Sequence, residues 1–303
     1  MKLPTTIIIP TRNRPADLRR GLALLLPQLP GEGTVAVLVC DDSDGPETAA
    51  MLSGEFPSVK RQAGPRIGPG ANRNAGARQA PDGWLIFLDD DCLPHPTLLA
   101  SYLEEIQHGG PGIDRVLSGP VLRGDEKKDS LLWEAPHNPA EHELPPSCNF
   151  AIPRKLLLGS GGFDERFRIA FEDMELFARL RALGVPFRFV PRAAVDHPSR
   201  PIPRPAKLAR RWESRVISSF DFGATTRQIL WRLPKHIALV IFSRFRGRKP
   251  SAENLRAGGI FFAEFLITMV QLPAWVWKYG TSPRSPFWVE QVKQGKGPSR
   301  FGL

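Results

Sequence analysis

The first hundred residues predict an α/β fold, a mostly parallel sheet sandwiched by helices. Two observations carry this. Short β-branched and aromatic runs recur with helical patterns between them, and each run empties into polar residues. Continuous apolar runs of this kind suit strands buried on both faces, as in a parallel sheet, rather than the in-out alternation of a half-exposed one.

The first strand is read at Thr6-Ile7-Ile8-Ile9, leading into Pro10-Thr11-Arg12-Asn13. A helix follows over 16–29, with Leu18, Leu22, Leu25, Leu26 and Leu29 at helical spacing. The second strand, Val35 to Cys40, runs into Asp41-Asp42-Ser43-Asp44-Gly45. Residues 71–80 read as a helix opened by Gly68-Pro69-Gly70. The third strand, Trp84 to Leu88, runs into Asp89-Asp90-Asp91. A helix over 96–106 starts at a proline, which the first helical turn tolerates. The order βαβαβα implies a doubly wound sheet with right-handed crossovers. Ligands of such sheets sit beyond the carboxyl ends of the strands, where all three polar tails fall.

Composition narrows the function. The chain is 42% apolar and 24% charged, enough for a sizeable core. Cys40, Cys92 and Cys148 are odd in number and far apart, which excludes a disulfide scaffold or zinc finger and suggests a reducing compartment. The opening apolar run is too short for a signal peptide. Charge is uneven: residues 1–199 hold 22 Lys+Arg and 26 Asp+Glu, whereas 200–303 hold 19 and 5. The expected division is a catalytic domain over 1–199 and a basic helical region over 200–303. Gly68-Pro69-Gly70-Ala71-Asn72-Arg73 has Arg at the third glycine position of a dinucleotide fingerprint, so a nicotinamide enzyme is rejected.

Three adjacent carboxylates raise one another's pKa or call for a cation. Mg²⁺ and Mn²⁺ take carboxylate oxygens and share their shell with phosphates, and Asp89 and Asp91 have D-x-D spacing for that. Phe171-Glu172-Asp173-Met174-Glu175 places a carboxylate pair at a helix start, where the dipole favours the anion. His197, after the apolar run 187–190, reads as a further metal or diphosphate contact, or as a solvated loop histidine.

The motifs IIIPTRNRP, VLVCDDSDG, ANRNAGAR, FLDDDC, SCNFAIPRKLLLGSGGFDERF and FEDMELFARLRALG resemble, in order, those of the family 2 glycosyltransferases of GT-A (Rossmann-like) fold. The resemblance covers about residues 3–200. It implies metal-dependent, inverting sugar transfer from a UDP-, GDP- or dTDP-sugar to a glycan or lipid-linked acceptor. It places Pro10, Thr11 and Arg12 at the nucleobase, Asp41 and Asp42 at base and ribose, and Arg73 near the nucleotide. Asp89 and Asp90 fall at the ribose and metal, Asp91 becomes the direct metal ligand, with Asp89 and His197 beside it, and Asp173 the general base. Glu172 and Asn149 join the substrate site. The departure is Asn72, where the family usually has Ala.

The basic region contains a 20-residue apolar window, 258–277, interrupted by Glu264, Gln271 and Pro273. Basic residues flank it on both sides, so it has no charge asymmetry to orient a span. The expectation is a helix lying on the anionic inner face of the cell membrane, with Trp275 and Trp277 at the interface. The alternatives are packing on the protein or a homo-oligomer core. A nucleic-acid or membrane-surface binding protein is the competing function. No nucleic-acid partner is expected, since no known module is legible and the aspartates would be left without a role.

Overall fold

The computed structural model describes residues 3–31, 33–109, 114–123, 130–142 and 144–295. The chain forms two compact units. One comprises residues 1–126, 135–168 and 172–199; the other comprises 127–134, 169–171 and 200–303.

The first unit carries β1 (Thr5–Thr11), α1 (Pro15–Leu25), β2 (Val35–Asp41), α2 (Glu47–Glu55), β3 (Lys60–Ala63), α3 (Pro69–Gln79), β4 (Trp84–Leu88), β5 (Leu93–Pro94) and α4 (Leu98–His108). β6 (Val116–Ser118) and β7 (Val121–Leu122) follow. β8 (Trp133–Glu134) belongs to the second unit. The first then resumes with β9 (Asn149–Pro153), α5 (Arg154–Gly159), α6 (Glu172–Ala182), β10 (Phe187–Phe189) and β11 (Val195–Asp196).

The main sheet runs β10-β6-β9-β4-β1-β2-β3. β1 pairs parallel with β2 and β4, and β2 with β3; only β9 runs antiparallel to its neighbours. The expected α/β class and mostly parallel sheet are therefore present. Strand alternation divides the core in two. Ile7, Ile9, Val37, Val39, Ile86 and Leu88 pack with Leu18 and Leu22 of α1, Met51 of α2 and Tyr102 of α4. Ile8, Leu38, Leu85 and Phe87 pack with Ala77 of α3, Leu157 of α5 and Leu176 and Phe177 of α6. β1, β2 and β4 are thus covered by helices on both faces, the reason their sequences are continuously apolar.

Where the sequence was read as passing from the second strand straight to 71–80, the structure inserts α2 and β3. β3, Lys60-Arg61-Gln62-Ala63, is a mostly exposed edge strand with no apolar face, so periodicity has nothing to register. α1 stops at Leu25 and tightens into a 3₁₀ turn over Leu26–Gln28, because Pro27 cannot donate to the helix ladder. α4 starts at Leu98, two residues later than read, with Thr97 as its cap.

A small sheet, β5-β11-β7, carries the chain towards His197. It can close only because residue 119 is glycine: a Cβ there would sit 1.9 Å from the Ala193 carbonyl oxygen and 2.7 Å from Asn149 Nδ2. Backbone cannot yield cheaply, so Gly119→Ala should cost about 3 kcal/mol, read as a lowered urea midpoint. An unchanged midpoint would mean the β6–β7 turn is not the constraint on β11.

The second unit is helical: β12 (Arg200–Pro201), paired with β8, then α7 (Pro205–Ala209), α8 (Arg211–Asp221), α9 (Thr226–Phe245), α10 (Ala252–Gly280) and α11 (Pro286–Lys293). α9 opens on a capping box between Thr225 and Gln228, and α10 on Ser251, whose hydroxyl accepts from Asn254 N. Val216, Phe220, Ile229, Leu233, Ile237, Leu272 and Val276 form its core.

Candidate active site

Parallel pairing brings the ends of β1, β2 and β4 side by side, with Thr11 opposite Asp41. The three polar tails converge there. The Thr11 hydroxyl donates to Asp90 Oδ2 at 2.7 Å, and the Thr11 carbonyl accepts from Asp42 N at 2.9 Å. Pro10 is buried within the strand. Arg12, exposed, reaches Asp44 at 3.4 Å.

On the β2 side, Asp41 accepts from Ser43 N at 2.9 Å and from Arg61 Nε at 2.8 Å. Asp42 accepts from Arg66 N at 2.9 Å, and burial pushes its carboxyl up. Gly64 leaves it room, since a Cβ there would stand 2.0 Å from Asp42 Oδ1. Asn72, the departure from the motif, ties α3 to β2: its side-chain amide donates to the Cys40 carbonyl at 2.8 Å.

On the β4 side the three aspartates separate in role. Asp89 is partly exposed and receives Arg73 Nη2 at 2.7 Å. Asp90 and Asp91 are buried, and Arg14 Nη1 lies 3.1 Å from Asp90 and 3.3 Å from Asp91. Burial, helped by the charges of Asp91 and Asp89, pushes Asp90 up to about 7 despite Arg14 and Thr11. Arg14 is a residue the sequence reading passed over; nothing but its place in the same strand tail as Thr11 signals it.

The Arg73 side chain is buried between two carboxylates, with Nη1 also 3.1 Å from Glu172 Oε1. Burial opposes its charge, yet Asp89 and Glu172 hold it firmly protonated. Burial and Asp173 push the Glu172 carboxyl up, while Arg73 pulls it down. The net shift is upward, to about 7, and Arg73 is the cation that opposes it. Arg73→Met would strand both acids, and removing one partner of a buried pair costs about 3–5 kcal/mol. Thermal denaturation should show that loss; a drop below about 1 kcal/mol would mean that the acids reach solvent.

Asp173 follows Glu172 on the first turn of α6 and is half-buried. Its oxygens accept from Met174 N at 2.8 Å and Ser147 N at 3.3 Å, with no cation paired to it among the described residues.

His197 arrives from β11, its backbone N–H bonded to the Leu122 carbonyl at 2.8 Å. Its Nδ1 lies 3.1 Å from the Pro198 carbonyl oxygen, where it can only donate. Nε2, the lone-pair atom of such a neutral ring, faces Asp91 Oδ1 at 3.2 Å. Burial works against the imidazolium, but Asp91 outweighs it and pushes His197 up. Two acceptors facing at this distance suit a shared proton or a divalent cation, and carboxylate plus imidazole is a donor set for Mn²⁺. The ligand atoms of Asp91, Cys92 and His197 lie within 4.8 Å of one another. The Cys92 thiol donates to the Cys148 carbonyl; the neighbouring Cys148 side chain and burial push it well up, so it stays protonated and outside a hard-cation shell.

The structure thus gathers Thr11, Arg73, Asp89, Asp90, Asp91, Glu172, Asp173 and His197 about the carboxyl ends of the strands, with Arg12, Asp41 and Asp42 alongside. Asn149 stands apart. It is fully buried, its amide donating to Pro120 and Ala193 carbonyls at 3.0 and 2.8 Å and accepting from the Tyr102 hydroxyl at 2.8 Å. It braces β9 beneath the site and offers no free polar atom to a ligand.

A sheet of this topology with an acidic cluster at its switch edge defines a GT-A-type glycosyltransferase fold. Residues 6–155 match the family Glycosyl transferase family 2, and the chain belongs to that family. It is 28% identical over 223 residues to a validoxylamine A glucosyltransferase of Streptomyces hygroscopicus subsp. limoneus, covering 60% of this chain and 48% of that protein. The chain thus spans about half the length of that relative. Among solved structures, Staphylococcus aureus TarS 1-349 superposes with a TM-score of 0.54 at 17% identity, covering 97% of this chain and 92% of that one. The mannosyltransferase PcManGT of Pyrobaculum calidifontis, in complex with GDP-Man and Mn²⁺, gives 0.52 at 17% identity, with 97% and 80% covered. These likenesses show a shared fold.

Proposed function

We propose that the protein transfers a sugar from a UDP-, GDP- or dTDP-sugar to a hydroxyl of a glycan or lipid-linked acceptor, with inversion and with a divalent metal. The observation that carries the reading is the facing pair of Asp91 Oδ1 and His197 Nε2 beside Asp89 and Asp90, a negative pocket at the switch edge of the sheet. The Mn²⁺ and GDP-Man bound by the mannosyltransferase of like fold add support.

Asp91, with Asp89 and His197, would hold Mn²⁺ or Mg²⁺, which neutralises charge on a departing diphosphate. Asp41 and Asp42 would face base and ribose, with Pro10, Thr11 and Arg12 lining the base side. Arg14 and Arg73 would balance the aspartates and fix their orientation. Asp173 would take the proton of the acceptor hydroxyl as its oxygen attacks the anomeric carbon. The bond from that carbon to the diphosphate oxygen breaks on the opposite face, and the electron pair leaves with the nucleoside diphosphate. Glu172, locked to Arg73, keeps α6 in place; Asn149 would contribute through β9. The three free cysteines, all buried, suit a reducing cytoplasm, and the helical unit would hold the enzyme at the inner face of the membrane.

Calorimetric titration of UDP, GDP, dTDP and ADP, with Mn²⁺ and with EDTA, tests the reading. Tight binding of one nucleotide only with metal is expected. Equal binding in EDTA would remove the metal from the donor site, and no binding of any would remove the donor.

A further inference from the structure

α10 is built inside out for a helix of a water-soluble bundle. Its buried stripe is Ala257, Phe261, Glu264, Thr268, Leu272 and Trp275–Val276. The two polar members are accommodated there: Trp212 Nε1 donates to Glu264 at 2.7 Å, and the Thr268 hydroxyl donates to the Glu264 carbonyl at 2.8 Å. The opposite stripe is apolar throughout. Leu255 is 81% exposed, Phe262 62%, Leu266 48%, Val270 81% and Trp277 75%. Their spacing follows the helical repeat along one line of the surface, about 33 Å long at 1.5 Å per residue. α9 lies beside α10, with Phe245 and Phe261 in edge contact at 6.1 Å, and exposes Trp231, Leu239 and Phe242. Of the exposed large apolar residues among those described, most lie on these two helices. An exposed apolar stripe of that length, with further exposed apolar residues on the neighbouring helix, marks a contact surface.

The charge around it selects the occupant. From 226 to 280 the chain has nine Lys+Arg and two acids, Glu253 and Glu264, and Glu264 is turned inward. The link between the helices reads Arg246-Gly247-Arg248-Lys249, and Arg256 and Lys278 stand near the ends of α10. An apolar stripe rimmed by cations matches the headgroup boundary of an anionic bilayer, where apolar side chains enter the acyl region and cations meet lipid phosphates.

α10 is long and apolar enough to cross a bilayer by length and composition. Its packing argues for lying flat. It is held along its length: Ala257 and Phe261 pack on Leu208 of α7, and Leu272 and Val276 on Val216 and Phe220 of α8. At its end Lys278 Nζ and the Tyr279 hydroxyl meet Glu213 of α8 at 3.0 and 2.6 Å. α8 brings Arg211, Glu213 and Asp221 with it, and a crossing helix would drag these charges into hydrocarbon.

We propose that the outward face of α9 and α10 is a monotopic docking surface for an anionic membrane, with α10 lying in the interfacial plane. The proposal gives the membrane placement stated above its surface and its geometry, and its test is separate from that of the transferase reading, because vesicle binding is scored without any sugar donor. The full chain is floated with vesicles of phosphatidylcholine, alone or with phosphatidylglycerol, at low salt. Binding is expected on the anionic vesicles and roughly tenfold less on neutral ones. Phe262→Glu with Val270→Glu, both at exposed positions, should release the protein roughly tenfold while its melting curve is kept. Spin labels on Leu255→Cys, Leu266→Cys and Trp277→Cys, with the buried native thiols unlabelled, should report one shallow depth. A wild-type chain that stays off anionic vesicles overturns the proposal, as does a double variant that binds like wild type. A deep label at 266 between shallow ends would make α10 a span instead. A dimer in sedimentation equilibrium that the double variant dissolves, with no vesicle binding, would assign the face to a second copy of the chain.

Discussion

Asp173→Asn should lower the rate of sugar transfer by about a thousandfold, the middle of the range for loss of a general base, while donor affinity stays within about twofold. The substitution is nearly isosteric. The amide oxygen can still accept from Met174 N, the shorter of the two bonds Asp173 receives, and only the 3.3 Å contact from Ser147 is weakened. The helix start is therefore retained, and what disappears is the ability to take a proton. Its neighbour is the control. Glu172 is held by Arg73 at 3.1 Å deep in the unit, so Glu172→Gln should appear first in the melting temperature. Single-turnover rates with bound donor separate the two. If Asp173→Asn turns over within tenfold of wild type, the base is another group.

Removing the metal should be the second large effect. EDTA, or Asp91→Asn, is expected to weaken nucleoside diphosphate binding by about a hundredfold and to abolish the metal-dependent rise in melting temperature. That rise corresponds to about 2.7 kcal/mol when the ion is at a hundred times its dissociation constant. Without metal, Asp91→Asn should be as stable as wild type or more so. It relieves the repulsion between two adjacent buried carboxylates that both lean on Arg14, and the new asparagine keeps a side-chain oxygen that can face His197. Loss of function with kept or gained stability is the signature of charges placed for a ligand. A variant that loses stability and still binds Mn²⁺ would make Asp91 a structural residue and move the metal elsewhere.

The strands around the site were legible because each is apolar without interruption, and the tails because carboxylates in a row have no structural use after a buried strand. α2 and β3 escaped because a short helix and a polar edge strand carry no periodic signal. Arg14, Arg61 and Arg66 escaped for another reason. Arginine is common on surfaces, and only the fold shows that the Arg14 and Arg61 side chains reach Asp90 and Asp41 while Arg66 donates its backbone N–H to Asp42. Asn149 was singled out by its motif, but its amide turned out to be spent on Tyr102, Pro120 and Ala193.

By itself the sequence determined the three buried apolar strands β1, β2 and β4, the helices α1, α3 and α4 beside them, the position of the acidic tails and the basic, apolar character of the last hundred residues. These depend on neighbours a few positions apart, where periodicity and charge runs are written. Tertiary structure decided the pairings: Thr11 with Asp90 across 79 residues, Arg73 with Glu172 across 99, and Asp91 with His197. It also decided which side of α10 faces outward, since a stripe of Glu264 and Thr268 turns inward only if a partner such as the Trp212 indole waits there. Burial and long-range contact set the energy of a charge, and neither is a property of any short stretch of chain.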